Sequence, residues 1–345
     1  MSAIPSTIER ETHEALIARL RGLIDEKLAP ARAAARGTPF ALLDYPDHPN
    51  VGDSAIWLGE TAWMRDALGA MPAYVCRQEA DWQTLDRLVP EGPIFLHGGG
   101  NFGDLWPQHQ LFREEVLERY SGRTVIQLPQ SIHYRDPAAI ERTARVIAAH
   151  GAFALLVRDE KSLALARERF DCTVALCPDM AFCIGAQKRP APQIPVLLLL
   201  RTDLERSTAA LDPADLPAGW EMDDWLVDEP GLYPHALKAT RIDALKTLDP
   251  RQWSRPARET RYLETLAQMR FDRGIAMLSR ARFVITDRLH VHILSTLLGL
   301  PHVFLDNSYG KIRGLSDAFG TRWEGADHAE TLEEAIALAK ARTAG

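Results

Sequence analysis

A chain of 345 residues, 46% hydrophobic and 25% charged, has the composition of an ordinary globular protein of about two domains. It is long enough to bury its core without disulfide or metal staples. Its net charge of −7 argues against a nucleic-acid partner, which normally needs a basic face, yet leaves room for a few arginines to make a local anion pocket.

The N-terminus is charged throughout and lacks an apolar h-region. Residues 7–35 read as one amphipathic helix, with Ile8, Leu16, Ile17, Leu20 and Ile24 at helical spacing. Strands and helices then alternate: a strand over 40–44, a helix over 54–68, and strands at 73–76 and 94–97. The last of these feeds a glycine-rich turn and a helix over 111–120. A strand at 124–128, a helix over 139–150, a strand at 153–157 and a helix over 160–168 complete the first half. This is the order of a parallel, doubly wound sheet. The polar, proline-rich stretch 187–192 is a linker, giving Rossmann-like domains over 1–187 and 193–345.

The second domain opens on a buried strand at 196–200. An irregular stretch over 203–258 follows, then a helix over 259–280, a strand at 283–286 and a helix over 289–298. A strand at 302–305 and a final helix over 331–341, packing back on the first domain, end the chain. The apolar runs at 195–200 and 291–300 are far shorter than the ~20 residues of a membrane span, so a soluble, cytoplasmic protein is expected. Cys76, Cys172, Cys177 and Cys183 show no CxxC spacing and read as free thiols, with no metal site.

Four segments join glycine or charge to a strand-to-helix junction. In the first, Asn50-Val51-Gly52-Asp53-Ser54, Gly52 permits a sharp turn or close approach, and Asp53 or Ser54 would cap the helix. The second is His97-Gly98-Gly99-Gly100-Asn101-Phe102-Gly103-Asp104. Three glycines after a buried strand carry a large entropy cost, which points to bare backbone offered to a ligand, against the alternative of a turn needed only for packing. The loop satisfies GxGxxG, but the next strand runs into Pro129-Gln130-Ser131 without the acid that a dinucleotide site wants. No GxSxG elbow answers the His-Gly-Gly-Gly string, and no Walker A motif is present.

The third segment places Arg158 at a strand end, where its planar fork suits carboxylate or phosphate; a salt bridge to Asp159 or Asp179 is the competing use. The fourth, Thr286-Asp287-Arg288-Leu289-His290-Val291-His292, runs from an apolar strand into a helix start. A helix N-terminus attracts anions and disfavours a protonated histidine, so Arg288 beside His290 points to a bound phosphate or carboxylate. His290 is the candidate proton donor, whereas His292 faces the other way and reads as structural. Lys311 follows the next strand on the same rim.

In their order along 44–315, these segments, with Pro178-Asp179 and Gly299-Leu300-Pro301, resemble the polysaccharide pyruvyl transferase family. The resemblance implies two Rossmann-like, doubly wound α/β domains facing a cleft, as in GT-B glycosyltransferases. It implies phosphoenolpyruvate as donor, no cofactor, and a lipid-linked or oligosaccharide acceptor, with room for peripheral contact at the inner membrane face. By the family pattern His290 is the general acid, and Arg158, Arg288 and the Leu289 backbone hold the donor, with Lys311 nearby. Asn50, Gly52, Asp53 and the loop residues His97, Gly98, Gly99, Gly100, Asn101 and Asp104 fall on the acceptor side. A nucleotide-sugar glycosyltransferase and a non-catalytic sugar-binding subunit are the rival readings. The family offers no counterpart for 203–258, where Trp220, Trp225 and Trp253 lie among acids. The expectation there is an acceptor surface of stacking indoles, against simple packing of the segment onto its domain.

Overall fold

Two parallel β-sheets organise the chain in its computed structural model, which describes residues 10–201, 211–212, 216–246, 253–306 and 310–344. The first is seven-stranded: β1 (Ala41–Leu43), β2 (Tyr74–Val75), β3 (Ile94–Leu96), β4 (Gly99–Gly103), β5 (Val125–His133), β6 (Phe153–Val157) and β7 (Thr173–Leu176). Their order is β2-β1-β3-β5-β6-β7, with β4 paired to β5 off this path, and every pairing is parallel. β1 and β3 are buried along their whole length, as a sheet covered by helices on both faces requires.

The helices up to β7 are α1 (His13–Lys27), whose first half belongs to the unit of the second sheet, α2 (Ala29–Ala35), α3 (Val51–Trp63), α4 (Trp82–Leu88), α5 (Pro107–Arg119), α6 (Pro137–His150) and α7 (Glu160–Arg169). The single helix expected over 7–35 is two, because Pro30 lies in the first turn of α2, where its missing N–H breaks no bond. Asp136 caps α6 by accepting from the Ala138 N–H, and Asp159 caps α7 by accepting from the Ser162 N–H. β5 runs on to His133, past the strand end expected at 128. Pro129 is accommodated by a register shift between Gln127 and Gln130, where the ladder does not need its N–H.

The second sheet has the order β12-β11-β10-β8-β9. Its strands are β8 (Ile194–Leu199), β9 (Glu221–Met222), β10 (Ala281–Thr286), β11 (His302–Phe304) and β12 (Ala326–His328), again all parallel. The helices after β9 are α8 (Leu232–Leu245), α9 (Arg255–Ser279), α10 (Leu289–Leu297), α11 (Lys311–Phe319) and α12 (Leu332–Thr343), of which α8 and nearly all of α9 belong to the unit of the first sheet. α12 seats Ala335 and Ala339 in the core of this second sheet, a placement that differs from the expected return to the first domain.

The chain divides into two compact units. One takes Arg21–Ile184 with Asp224–Ala276; the other takes the chain up to Leu20, Gly185–Asp223 and everything from Met277 onward. A single boundary at 187–193 therefore matches one passage between units and misses the return of 224–276 to the first. Charge and close packing hold that return. Arg270 donates to Asp228 at 2.8 Å and to Asp47 at 3.2 Å, Arg273 donates to the Pro49 carbonyl at 2.6 Å, and a Cβ on Gly274 would sit 2.4 Å from Val51. Within the stretch expected to be irregular, Leu232–Leu245 form α8. Trp225 is 1% exposed, a core residue of its unit, and Trp220 packs against the second-sheet core. For these two tryptophans packing replaces the expected sugar-stacking surface. All four cysteines are free.

Candidate active site

At the C-terminal rim of the first sheet, β1 ends on Asp44, whose φ is 71°. It is the only non-glycine among the described residues with positive φ, a conformation that aspartate tolerates better than most residues and that marks functional sites more often than chance. Its carboxylate is buried and faces His109 of α5, with Oδ1 2.8 Å from Nδ1. The Gln78 amide donates to the same oxygen at 3.1 Å, and the Asn101 amide reaches Oδ2 at 3.5 Å.

Beneath Asn101 lies Arg113, fully buried, with its guanidinium 4.4 Å from the Phe102 ring centroid. Its donors go to neutral oxygens: Gln127 Oε1 at 2.6 Å, Gln110 Oε1 at 2.6 Å and Asn101 Oδ1 at 2.8 Å. Burial lowers its pKa despite the nearby Asp44 charge. Gln130 also donates to Asn101 Oδ1, at 2.8 Å, and accepts from the Asn101 N–H at 3.1 Å. With its carbonyl oxygen held by two donors, the Asn101 amide has its NH2 turned toward Asp44.

The glycine-rich segment is a strand, where a turn was expected. Much of its glycine content answers to packing: a Cβ on Gly103, at φ 121°, would fall 1.8 Å from the His133 carbonyl oxygen. Gly98 donates its N–H to Glu60 at 2.7 Å, and the same carboxylate meets His97 Nδ1 at 2.8 Å. Burial raises the Glu60 carboxyl. At His97 burial acts the other way, but the Glu60 charge and hydrogen bond outweigh it and leave the imidazole above its usual value. His97 is thus a buried ion-pair residue of the sheet. Gly99, at φ 115°, lies against Asp53, whose Oδ1 is 3.4 Å from where a Cβ would stand; Gly100 and Asn101 are part-exposed.

Asn50 is the N-cap of α3, accepting from the Gly52 N–H at 3.2 Å and donating to Asp53 Oδ2 at 2.6 Å. The cap expected at Asp53 or Ser54 therefore lies three or four residues earlier, and Gly52 is buried in the first helical turn. Asp104 accepts from the N–H groups of Arg135 and Asp136, at 2.7 and 2.6 Å, and so ties the β5–α6 turn. Arg158 is 3% exposed. It donates to Asp179 at 2.6 Å and to Ser131 at 3.0 Å, so the internal salt bridge weighed against donor binding is the arrangement present.

At the rim of the second sheet, β10 delivers Asp287 and Arg288 to the start of α10. Arg288 is the N-cap, and Leu289 and His290 are the first two helical residues. The Thr286 hydroxyl accepts from the Arg288 N–H at 3.0 Å, and the guanidinium reaches the Leu200 carbonyl at 3.3 Å. Asp287 Oδ1 accepts from the Arg201 N–H at 2.7 Å, and burial raises its carboxyl pKa. His292 turns into the core: its Nδ1 is 2.8 Å from His302 Nε2, its Nε2 is 2.9 Å from Thr321, and His302 Nδ1 is 2.9 Å from the Leu300 carbonyl. Only one proton arrangement serves this chain. His302 donates to the carbonyl and accepts from His292, which in turn accepts from the hydroxyl. The Lys311 side chain lies outside the described residues; its backbone opens α11.

Sequence reading missed Asp44, His109, Gln78 and Arg113. Asp44 carried a signal, an acid at the end of an apolar strand where open α/β sheets bind ligands, while His109, Gln78 and Arg113 are recruited over distances no local pattern records.

The sequence profile of the polysaccharide pyruvyl transferases matches residues 50–309, from the N-cap of α3 past the start of α10. The chain belongs to the polysaccharide pyruvyl transferase family. It is an enzyme of that transferase class, and the resemblance read from its motifs holds. Pyruvyl transferase 1 of Schizosaccharomyces pombe is 35% identical over 299 residues, 79% of this chain and 67% of that protein. EpsO of Bacillus subtilis, also named as a pyruvyl transferase, is 30% identical over 328 residues, 92% of this chain and 93% of that one. In fold, a crystal structure of a functionally uncharacterized Klebsiella pneumoniae protein superposes with a TM-score of 0.55 over 90% of this chain and 99% of that one, at 20% identity. No helix among the described residues is long and apolar enough to cross a membrane.

Proposed function

We propose that the protein transfers pyruvate from phosphoenolpyruvate to sugar hydroxyls as a ketal, in the building of an exopolysaccharide or cell-surface glycan. The observation that carries the reading is the pairing of Arg288 and His290 on either side of Leu289, at the first turn of α10, where β10 ends. A guanidinium, helix N–H groups and the macrodipole together suit the phosphate and carboxylate of such a donor. The reading includes a GT-B-like use of two domains, with donor on the second sheet and acceptor on the first.

In the chemistry, His290 gives a proton to the methylene carbon of phosphoenolpyruvate, which makes C2 electrophilic. An acceptor hydroxyl adds to C2, its proton going to the Asp44–His109 pair; phosphate then departs with the C–O electrons, and a second hydroxyl adds to the resulting C2 cation, closing the ketal and returning a proton to His290. Asn101, Gly99, Gly100 and Asp53 would line the acceptor side. Arg158 takes no part in this scheme, since its guanidinium is engaged by Asp179. The test is release of inorganic phosphate from phosphoenolpyruvate across a panel of oligosaccharide and lipid-linked acceptors, with the pyruvyl ketal identified on the product. Nucleoside diphosphate release from a nucleotide sugar, with none of phosphate from phosphoenolpyruvate, would replace this reading with the glycosyltransferase one.

A further inference from the structure

α8 is amphipathic in an unusual sense. Its inner face is anchored: Leu232, Ala236, Thr240 and Ala244 are buried, the Thr240 hydroxyl is 3.4 Å from that of Thr265 on α9, and Tyr233 is held by Arg270 and Asp47 at 3.1 and 3.2 Å. The outward face carries Leu237, Lys238, Arg241, Ile242 and Leu245, all exposed, with Leu245 at 69%. The one acid of α8, Asp243, is exposed but paired with Lys246 at 2.9 Å, and Lys238 and Arg241 make no ion pair among the described residues. Soluble helices usually place acids and bases together on their solvent side. An apolar and cationic outer face is the pattern of a helix lying in a membrane interface.

Beside this face is a cavity of about 460 Å³. Leu237, Leu245 and the 46%-exposed Trp253 give it an apolar wall, and Arg241, Arg255 and Arg258 line it with charge. Glu259, its acidic lining residue, is engaged by Arg77 at 2.8 Å. In a chain whose net charge is −7, this is a local reversal of sign. Tryptophan at the edge of such a patch suits the headgroup layer, where the ring is half wet and half apolar.

We propose that the outer face of α8, with Trp253, docks the protein on an anionic bilayer surface. Leu237, Ile242 and Leu245 enter the headgroup boundary, and Lys238, Arg241 and Arg258 sit on lipid phosphates. The site is independent of the rim residues assigned to catalysis, so its test does not depend on the pyruvyl-transfer reading.

The full chain is co-sedimented with vesicles of equimolar phosphatidylglycerol and phosphatidylcholine, and with phosphatidylcholine alone. Binding to the first, weak binding to the second and release by salt are expected. Lys238→Gln with Arg241→Gln should weaken binding on the order of twenty-fold, from about five-fold per cation near an anionic surface. Leu237→Gln with Leu245→Gln should abolish it, and both variants should keep their melting temperature and their turnover on a water-soluble acceptor. The proposal is overturned if the wild type stays in the supernatant with both vesicles, or if both variants bind as the wild type does. It is also overturned if the face proves to be covered by a second copy, shown by concentration-dependent dimers that the leucine variant abolishes while vesicle binding is absent.

Discussion

Asp44 and His109 stand 65 positions apart in sequence and meet at 2.8 Å, one at the tip of β1 and the other in the first turn of α5. The backbone of Asp44 is turned into the left-handed region to make that contact, and Gln78 closes the pair from a third segment. A carboxylate that orients an imidazole is a unit suited to taking a proton from a hydroxyl.

Asparagine tolerates the backbone that Asp44 adopts, so Asp44→Asn separates charge from conformation. Its melting temperature should stay close to that of the wild type while kcat falls about a hundredfold or more. Asp44→Ala should lose the same activity and an additional ~1–2 kcal/mol of stability, because alanine is strained at this φ. Near-normal phosphate release by the asparagine variant would remove the pair from the reaction.

His290→Asn should reduce turnover roughly 10²–10⁴-fold, with the fold unchanged in circular dichroism. Arg288→Lys keeps the charge and loses the fork, so phosphoenolpyruvate affinity, read by calorimetry, should fall. Unchanged affinity in the lysine variant would place the donor elsewhere.

Arg158 and Asp179 form a buried ion pair, and removing one partner strands the other. Arg158→Ala should therefore cost about 3–5 kcal/mol in chemical denaturation. Arg158→Met combined with Asp179→Asn should recover part of that loss. Donor affinity in the double variant decides the role: wild-type affinity means the pair is structural, and a large loss means Arg158 also touches the donor.

The His292–His302 chain makes the second unit acid-sensitive. Burial holds His302 neutral down to about pH 4, whereas the unfolded chain takes up that proton near pH 6.5. Burial, then the charges of His302 and Arg322, likewise holds His292 well below its usual value. The unfolded state thus binds more protons across this window, so stability is complete above pH 6.5 and declines as pH falls toward 4. His302 contributes roughly 3 kcal/mol of that decline. His302→Gln should flatten the acid limb of a denaturation-versus-pH profile. An unchanged slope would show that the imidazole is not held neutral.

Trp225→Ala should lower stability by about 3–5 kcal/mol, as truncating a buried tryptophan does, and leave the acceptor KM of the folded fraction unaltered. A raised KM without loss of stability would return the insertion to the acceptor side.

The alternation of apolar strands and helices, with Pro and Gly at the junctions, made the parallel α/β character and most elements readable from sequence. Motif order made the family readable as well. β4 was hidden because glycine weakens a strand locally, and only its pairing with β5 and the packing of Gly103 against His133 override that preference. The return of 224–276 to the first unit was hidden because it rests on Arg270, Arg273 and Gly274 meeting residues some two hundred positions earlier. At the site, the helix-start residues 288–290 announce themselves by local chemistry. Arg113 does not, because its partners are neutral amides from separate elements.

The contact of Gly103 with the His133 carbonyl acts as a register pin for everything upstream of it. A methyl group there would have to push β4 away from β5 or slide it along, and either movement carries Asn101, two residues away, off Gln130 and Arg113. Drift in the sequence at this point would be felt as a misaligned amide next to Asp44, with little change in the number of buried groups. A position that touches no candidate ligand can in this way govern how accurately an acceptor is aimed.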